Sequence, residues 1–469
     1  MITLTLRDVQ EAMSATLDAE TAGGIDLDDV TITGVAIDSR KVERGDLFVA
    51  LVGERSDGHD HAAQALDAGA AAVLAQRPVG AGPCLLVSDP VAALGHLATA
   101  VLARLPQLIT IGITGSSGKT STKDMLGQVL AHHAPTVWPQ GSFNNELGLP
   151  LTVFECNEHT RFLVLEMGAR GKGHIAYLCS IAQPDVGLVL NVGSAHVGEF
   201  GGQLAIAEAK SELVAGVAPE GLAVLNADDP LVSAMAAKTD ARISRFGEAP
   251  SAEVGFGDVT LDELARPSFR LSYEGESADV SLQVSGEHMA ANAAAAAAVA
   301  LGVGMSLPAV ADALTAARPQ SRWRMEIATT STGVTVVNDA YNANPESVRA
   351  ALKALVAMGR ARGGRTWAVL GEMLELGEES LTAHDEIGRL AVRLDINRLV
   401  VIGEGARPMH LGAAQEGSWG DETVWVPDVD QALDLLRREL APGDIVLVKA
   451  SRAAGLERVA ETLLAEGGE

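Results

Sequence analysis

An apolar run at 108–111 leads directly into Gly112-Ile113-Thr114-Gly115-Ser116-Ser117-Gly118-Lys119-Thr120, and helix-forming residues follow from Lys119 to about His132. A buried strand, a glycine-rich turn and a helix in that order form a phosphate cradle. Glycine lets backbone N–H groups curl around phosphate oxygens, Lys119 would reach the β- and γ-phosphates, and the Thr120 hydroxyl would ligate Mg²⁺. Ile113 stands where the strict GxxxxGK[ST] pattern has its first glycine, and the glycines fall at 112, 115 and 118 instead. Gly115, Ser116, Ser117, Gly118, Lys119, Thr120 and Ser121 are the expected nucleotide contacts. The loop predicts a nucleoside triphosphate but not a reaction.

The same design repeats downstream. Apolar runs at 162–165, 186–190 and 223–225 are each followed at once by polar or small residues: Glu166-Met167-Gly168, Asn191-Val192-Gly193 and Asn226-Ala227-Asp228-Asp229. Strands alternating with helices predict a parallel sheet, whose ligands sit beyond the carboxyl ends of its strands. Glu166 is therefore either a metal ligand or a helix-capping carboxylate. His196 is a ligand or a structural histidine, and Lys210 by default a solvated helix lysine. Before the loop, 62–72 reads as a helix, 72–75 and 85–87 as strands, and 91–105 as a helix stopped by Pro106. After the boundary segment Arg318-Pro319-Gln320-Ser321, runs at 334–338, 366–370, 399–402 and 445–448 predict a second, smaller α/β unit. There Gly403-Glu404-Gly405-Ala406-Arg407-Pro408 half-resembles a dinucleotide fingerprint, but Pro408 makes it a strand-end turn. The uncharged stretch 289–311 is mostly alanine and reads as a core helix ending near Gly302 and Gly304 rather than a membrane span.

At 469 residues the chain exceeds one core, and two to four domains are expected. A net charge of −26 argues against nucleic-acid and anionic-membrane surfaces, so a phosphate-bearing substrate must be held by local devices. Cys84, Cys156 and Cys179 have neither disulfide-framework nor zinc spacing, and residues 1–14 lack the apolar core of a signal peptide. Both point to the cytoplasm.

Several motifs together resemble the Mur ligases: the loop through Met125, Phe143-Asn144-Asn145-Glu146-Leu147-Gly148-Leu149-Pro150, Glu166-Met167-Gly168, Asn191 to His196, Ala209-Lys210-Ser211-Glu212, and Asn338-Asp339-Ala340-Tyr341-Asn342-Ala343-Asn344-Pro345. The resemblance spans essentially the whole chain. It implies an α/β protein of three domains. Residues 1–106 would form a small α/β domain for the UDP-linked substrate, 107–320 a central P-loop-type parallel-sheet ATPase domain, and 321–469 a Rossmann-like domain that closes over ATP.

The implied substrate contacts are Ser39, Arg40, Asp57, His59, Asn144 and Asn145. Two Mg²⁺ ions would be held by Thr120, Glu166, His196 and a carbamylated Lys210. Catalysis would rest on Lys119, Lys210 and His196, and Asn292, Arg324, Asp339 and Asn342 would contact ATP. The implied activity is ADP-forming amide ligation of UDP-N-acetylmuramoyl-tripeptide to D-alanyl-D-alanine through an acyl phosphate, by a monomer. Two departures stand out. His288-Met289 replaces the family's His-Asn, and Arg324 is preferred to Arg322 because Arg-Met-Glu matches the family spacing. Rival readings are the preceding ligase, whose Asp-Asn-Pro-Arg segment is missing here, a P-loop ATPase switch or binding module, and a dinucleotide oxidoreductase.

Overall fold

The computed structural model describes residues 1–21, 24–53, 56–193, 202–417 and 422–466. The chain divides into two compact units, one of Met1–Gly112, Ala134–Gly168 and Ile175–Asp185, the other of Ile113–His133, Ala169–His174 and Val186–Glu469.

In the first unit, strands Gly34–Ala36, Asp46–Val49, Ala72–Ala75 and Cys84–Leu86 pair in parallel, with Thr16–Leu17 antiparallel at one edge. Asp46–Val49 and Ala72–Ala75 are buried throughout, as parallel strands covered on both faces must be. The helix expected at 62–72 stops at Asp67. Gly69 takes φ +114°, a conformation that ends the helix and turns the chain into the next strand. Helix Pro90–Ala103 starts on an Asp89 cap that accepts from Val91 and Ala92, and it ends short of Pro106. The strand Phe162–Glu166 is also fully buried and pairs in parallel with Thr136–Val137.

In the second unit, Val186–Val189, Leu222–Asn226, Arg242–Gly247 and Val254–Leu261 pair in parallel in that order. Val254–Leu261 then continues through antiparallel neighbours Pro267–Tyr273 and Glu276–Ser281, a feature the apolar runs did not signal. Pro267–Tyr273 alternates buried residues with half-buried or exposed ones, Val254–Leu261 and Glu276–Ser281 are mostly half-buried or exposed, and none carries a continuous apolar run. Helix Met289–Gly302 is buried along nearly its whole length and packs against Lys119–Ala131, which explains the alanine: small side chains let the two helices approach closely. Among the described residues no helix is long and apolar enough to cross a membrane.

The C-terminal sheet has Thr335–Asn338, Ile445–Lys449, Thr366–Leu370, Arg398–Ile402 and Thr423–Val426 in parallel order, with Glu326–Thr329 antiparallel at one edge. This is the Rossmann-like unit read from the sequence. Pro408 lies in the first turn of helix Arg407–Glu416, directly after the turn that follows Ile402, where a proline is tolerated.

Candidate functional site

The phosphate loop joins the end of strand Ile109–Thr114 to the start of helix Lys119–Ala131. Gly118 has φ +80°, and a Cβ there would stand 2.7 Å from Asn292 Oδ1. Glycine is thus required twice, for the backbone and for the space. Asn191, just past strand Val186–Val189, holds the loop's curve. Its Oδ1 accepts from the N–H groups of Ser116 and Ser117, both at 3.0 Å, and its Nδ2 donates to the Ser117 carbonyl at 3.2 Å. Ser116 Oγ accepts from Gly193 N at 2.9 Å, and Asp229 accepts from Val192 N at 2.8 Å. Lys119 Nζ donates to the Gly115 carbonyl at 2.7 Å. The N-terminus of a thirteen-residue helix, opened by glycine, presents backbone N–H groups and a partial positive charge to an anion.

A second segment reaches this loop. Arg324 Nη2 donates to Thr120 Oγ1 at 2.9 Å, and its guanidinium lies over the Tyr341 ring, 4.2 Å from the centroid. Arg322 instead pairs with Glu461 and is largely exposed, so the geometry favours Arg324 at the loop. Both carboxylate oxygens of Asp339 are engaged. Oδ1 accepts from Met325 N at 3.1 Å, and Oδ2 from Lys449 Nζ at 2.6 Å. The Asn342 carbonyl accepts from the same lysine at 2.9 Å, and the Asn342 side chain is exposed.

Lys210, on helix Gln203–Gly216, is 6% exposed and not the solvated lysine of the default reading. Burial, and then the positive charge of Lys119, lower its amine from 10.5 to about 7. Asn292 is also buried, with Nδ2 3.5 Å from Met289 Sδ. Ser121 is half-buried in the first turn of the loop helix. His196 lies outside the described residues.

In the first unit, Glu166 ends its strand almost completely buried. Its Oε1 accepts from Ser142 Oγ at 2.9 Å and from Asn144 Nδ2 at 3.0 Å, which fixes the carboxylate's orientation. Asn145 accepts from Gly148 N at 2.8 Å and shapes the turn before helix Gly148–Val153. Among the N-terminal residues, Ser39 Oγ donates to Gln64, and Arg40 forms an exposed fork with Asp38. Asp57 bonds Arg77 at 2.7 Å and His59 Nδ1 at 2.6 Å, and these partners hold its carboxyl well below the usual range. His59 Nε2 accepts from Gln76 N at 3.2 Å, so both ring nitrogens of this buried imidazole are engaged within the protein.

Residues 31–97 match "Mur ligase family, catalytic domain", 113–300 match "Mur ligase middle domain", and 323–452 match "Mur ligase, glutamate ligase domain". The UDP-N-acetylmuramoyl-tripeptide--D-alanyl-D-alanine ligase of Mycobacterium tuberculosis is 51% identical over 473 residues, covering 93% of each chain. This chain belongs to the Mur ligase family.

Two solved members of the Mur ligase family share its architecture. The crystal structure of MurF from Acinetobacter baumannii has a TM-score of 0.87 at 32% identity, covering 99% of each chain. That of MurF ligase from Thermotoga maritima in complex with ADP has a TM-score of 0.79 at 31% identity, covering 92% of this chain and 97% of that one. Against this Mur ligase framework, the sequence reading missed four contributors: Asn191 as the loop's clamp, Ser142 on Glu166, Tyr341 beneath Arg324, and Lys449 on Asp339. Asn191 reads only as a polar residue beyond a strand end, without its part as clamp, whereas Lys449 closes a buried parallel strand, the position where such sheets place binding residues, and that signal could have found it. Ser142 and Tyr341 act through long-range packing that no local pattern encodes.

Proposed function

We infer that this chain is an ATP-dependent, ADP-forming ligase that joins D-alanyl-D-alanine to UDP-N-acetylmuramoyl-tripeptide in peptidoglycan precursor synthesis. The observation that carries the reading is the full-length likeness to relatives of that name, at 51% identity over 93% of the chain. The phosphate loop gives that likeness a chemical basis. A carboxylate is a poor electrophile near neutral pH, and transfer of the γ-phosphoryl of ATP to the tripeptide carboxylate makes an acyl phosphate. The amine of D-alanyl-D-alanine attacks its carbonyl carbon, and phosphate leaves. The protein's part is positioning and charge. Lys119 and the helix N-terminus neutralise the transferring phosphoryl, Asn191 holds the loop N–H groups in register, and Arg324 reaches the loop from the C-terminal segment.

Two of the proposed donors, each taken within its own unit, are of the kind magnesium accepts. The buried Thr120 hydroxyl and the oriented Glu166 carboxylate are hard oxygen donors, and hydrogen bonds from Ser142 and Asn144 are the kind of support that orients metal-ligating carboxylates. When bound, Mg²⁺ would offset the charge of the phosphoryl oxygens. His196 and a carbamylated Lys210 complete the proposed ligand set, and an amine with a pKa of about 7 supplies the neutral form that CO₂ capture needs.

Asn292 at Gly118 is the proposed nucleotide-side neighbour, with Asp339 and Asn342 behind Arg324. Ser39, Arg40, Asp57, His59, Asn144 and Asn145 are proposed to shape the UDP-peptide side, with the His59–Asp57–Arg77 bonds acting as scaffold. The proposed domains are 1–106, 107–320 and 321–469, in a cytoplasmic monomer. The test is phosphate release with product mass spectrometry. Release should need the UDP-tripeptide, and amide product should need D-alanyl-D-alanine. Equal product with a single free amino acid would assign the preceding ligation step instead.

A further inference from the structure

The segment between the two α/β halves of the second unit is held in an unfavourable backbone conformation. Trp323 has φ +57° and Met325 φ +50°, left-handed values that cost non-glycine residues energy, and Arg324 stands between them. Such a segment persists only where its surroundings over-determine it. Trp323 Nε1 donates to Glu461 at 3.1 Å, and its ring lies under Arg452, 4.1 Å from the centroid. Trp323 N donates to Glu326 at 3.1 Å, and the Trp323 carbonyl accepts from Tyr341 N at 3.1 Å. Met325 N donates to Asp339 Oδ1. Two of these pins, Tyr341 and Asp339, lie in one short turn after strand Thr335–Asn338.

Besides the bonds from Asp339 N to the Val448 carbonyl and from Ala340 N to Asn338 Oδ1, that turn is tied down by a buried lysine. Lys449 ends strand Ile445–Lys449, is 3% exposed, and spreads its ammonium over Asp339 Oδ2 at 2.6 Å, the Asp339 carbonyl at 3.5 Å and the Asn342 carbonyl at 2.9 Å. A buried ammonium with three oxygen partners fixes a geometry more firmly than a flexible surface pair.

We propose that Lys449 is a positioning residue for nucleotide use: by locking the Asp339–Asn342 turn it holds the strained Trp323–Met325 segment, and so sets the reach of Arg324 to the phosphate loop. Lys449 touches neither the loop nor Arg324, and its effect passes through Asp339 to the Met325 amide and through the turn to the Tyr341 ring. This deepens the ligase reading and rests on it for the identity of the nucleotide.

The test uses the full-length chain and three readouts: calorimetric affinity for magnesium and the ATP analogue AMP-PNP, affinity for UDP-tripeptide, and hydrogen exchange at the Met325 and Tyr341 amides without nucleotide. Lys449→Gln keeps a donor for the Asn342 carbonyl but loses the charge on Asp339, and Lys449→Met loses both. Each should weaken AMP-PNP binding by between about 10- and 100-fold, the scale of a displacement near 1 Å. UDP-tripeptide affinity should change less than about twofold, within the near-additive range of distant sites. Both amides should exchange faster. Combined with Arg324→Ala, either substitution should add almost nothing further.

Additive losses in the double variant, or unchanged exchange at Met325, would overturn the proposal, as would equal weakening of both ligands. If Lys449→Met does not fold, the same criteria apply to Lys449→Gln. Because binding and exchange are read without turnover, failure of the ligase reaction in the unmodified chain would count against the functional reading alone.

Discussion

Removing the amine of Lys210 should stabilise the protein while abolishing its activity. The Lys210 side chain is buried, and a fall from 10.5 to about 7 corresponds to roughly 5 kcal/mol of differential interaction between charged and neutral forms. Below pH 7 the amine is protonated in both folded and unfolded chains, so the folded state carries the whole cost. Between pH 7 and 10.5 the unfolded chain binds more protons than the folded one, and stability rises with pH; above 10.5 the cost is gone. Methionine keeps the length of the side chain without the charge. In bicarbonate-free buffer Lys210→Met should therefore exceed the unmodified chain by several kcal/mol at pH 6, and the gap should shrink by roughly 3 kcal/mol by pH 9. Urea denaturation at the two pH values measures it. With ¹³C-bicarbonate, the unmodified chain should show a carbamate carbon resonance that the variant lacks, and phosphate release should collapse in the variant. A gap that is absent at pH 6, or independent of pH, would show that burial does not depress this amine. Normal turnover by Lys210→Met would remove it from the metal site.

Asn191→Asp keeps an acceptor for the Ser116 and Ser117 amides but loses the donor to the Ser117 carbonyl and brings a negative charge to the loop; stability should change by about 1 kcal/mol, while KM for ATP rises at least tenfold in a phosphate-release assay. Lys119→Ala should fold normally by circular dichroism and form no acyl phosphate; near-normal turnover would contradict the loop assignment. Arg322→Ala should leave KM for ATP within about twofold, since its exposed pair with Glu461 is worth little, whereas Arg324→Ala should raise it strongly. Glu166→Gln keeps the shape of the side chain but halves its metal-ligand character, and should raise the magnesium concentration needed for half-maximal rate.

The local devices of this chain were legible because each is written in a few adjacent residues. The strand, glycine turn and helix follow in the order read, with a first helical residue at Lys119, but the strand runs Ile109–Thr114 and takes in Gly112, Ile113 and Thr114, which the sequence reading gives to the turn. The parallel runs were legible because both faces of such strands are buried and their sequence is continuously apolar. The antiparallel strands from Val254 to Ser281 were not, since their alternating, half-exposed residues leave only a weak signal. The site divides the same way. Loop residues, Arg324 and Lys210 stand in readable motifs, but the burial that lowers the Lys210 amine to about 7 is a tertiary property. So is the engagement of Asp339 by Lys449, which lies 110 positions away in the chain.

The charge of the chain bears on what a lysine amine lowered to about 7 would contribute at position 210. At −26 the protein's overall field repels a triphosphate, so attraction must be generated at the loop itself. Lys449 is neutralised by Asp339 and Lys123 by Asp124. Lys119, Arg324 and the helix N-terminus lie at the loop, and their positive charge is smaller than the negative charge a triphosphate brings. On the ligase reading a divalent cation would make up the difference. A glutamate fixed at position 210 would add negative charge before any metal arrived and would oppose nucleotide entry. A lysine with a pKa of about 7 would not: under the proposed carbamylation it would lose its proton at little cost, accept CO₂, and become an anion only where a cation stabilises the product. On the proposed carbamylation, modification and metal binding would be thermodynamically linked, each favouring the other, and the site would acquire its full negative charge only with magnesium bound.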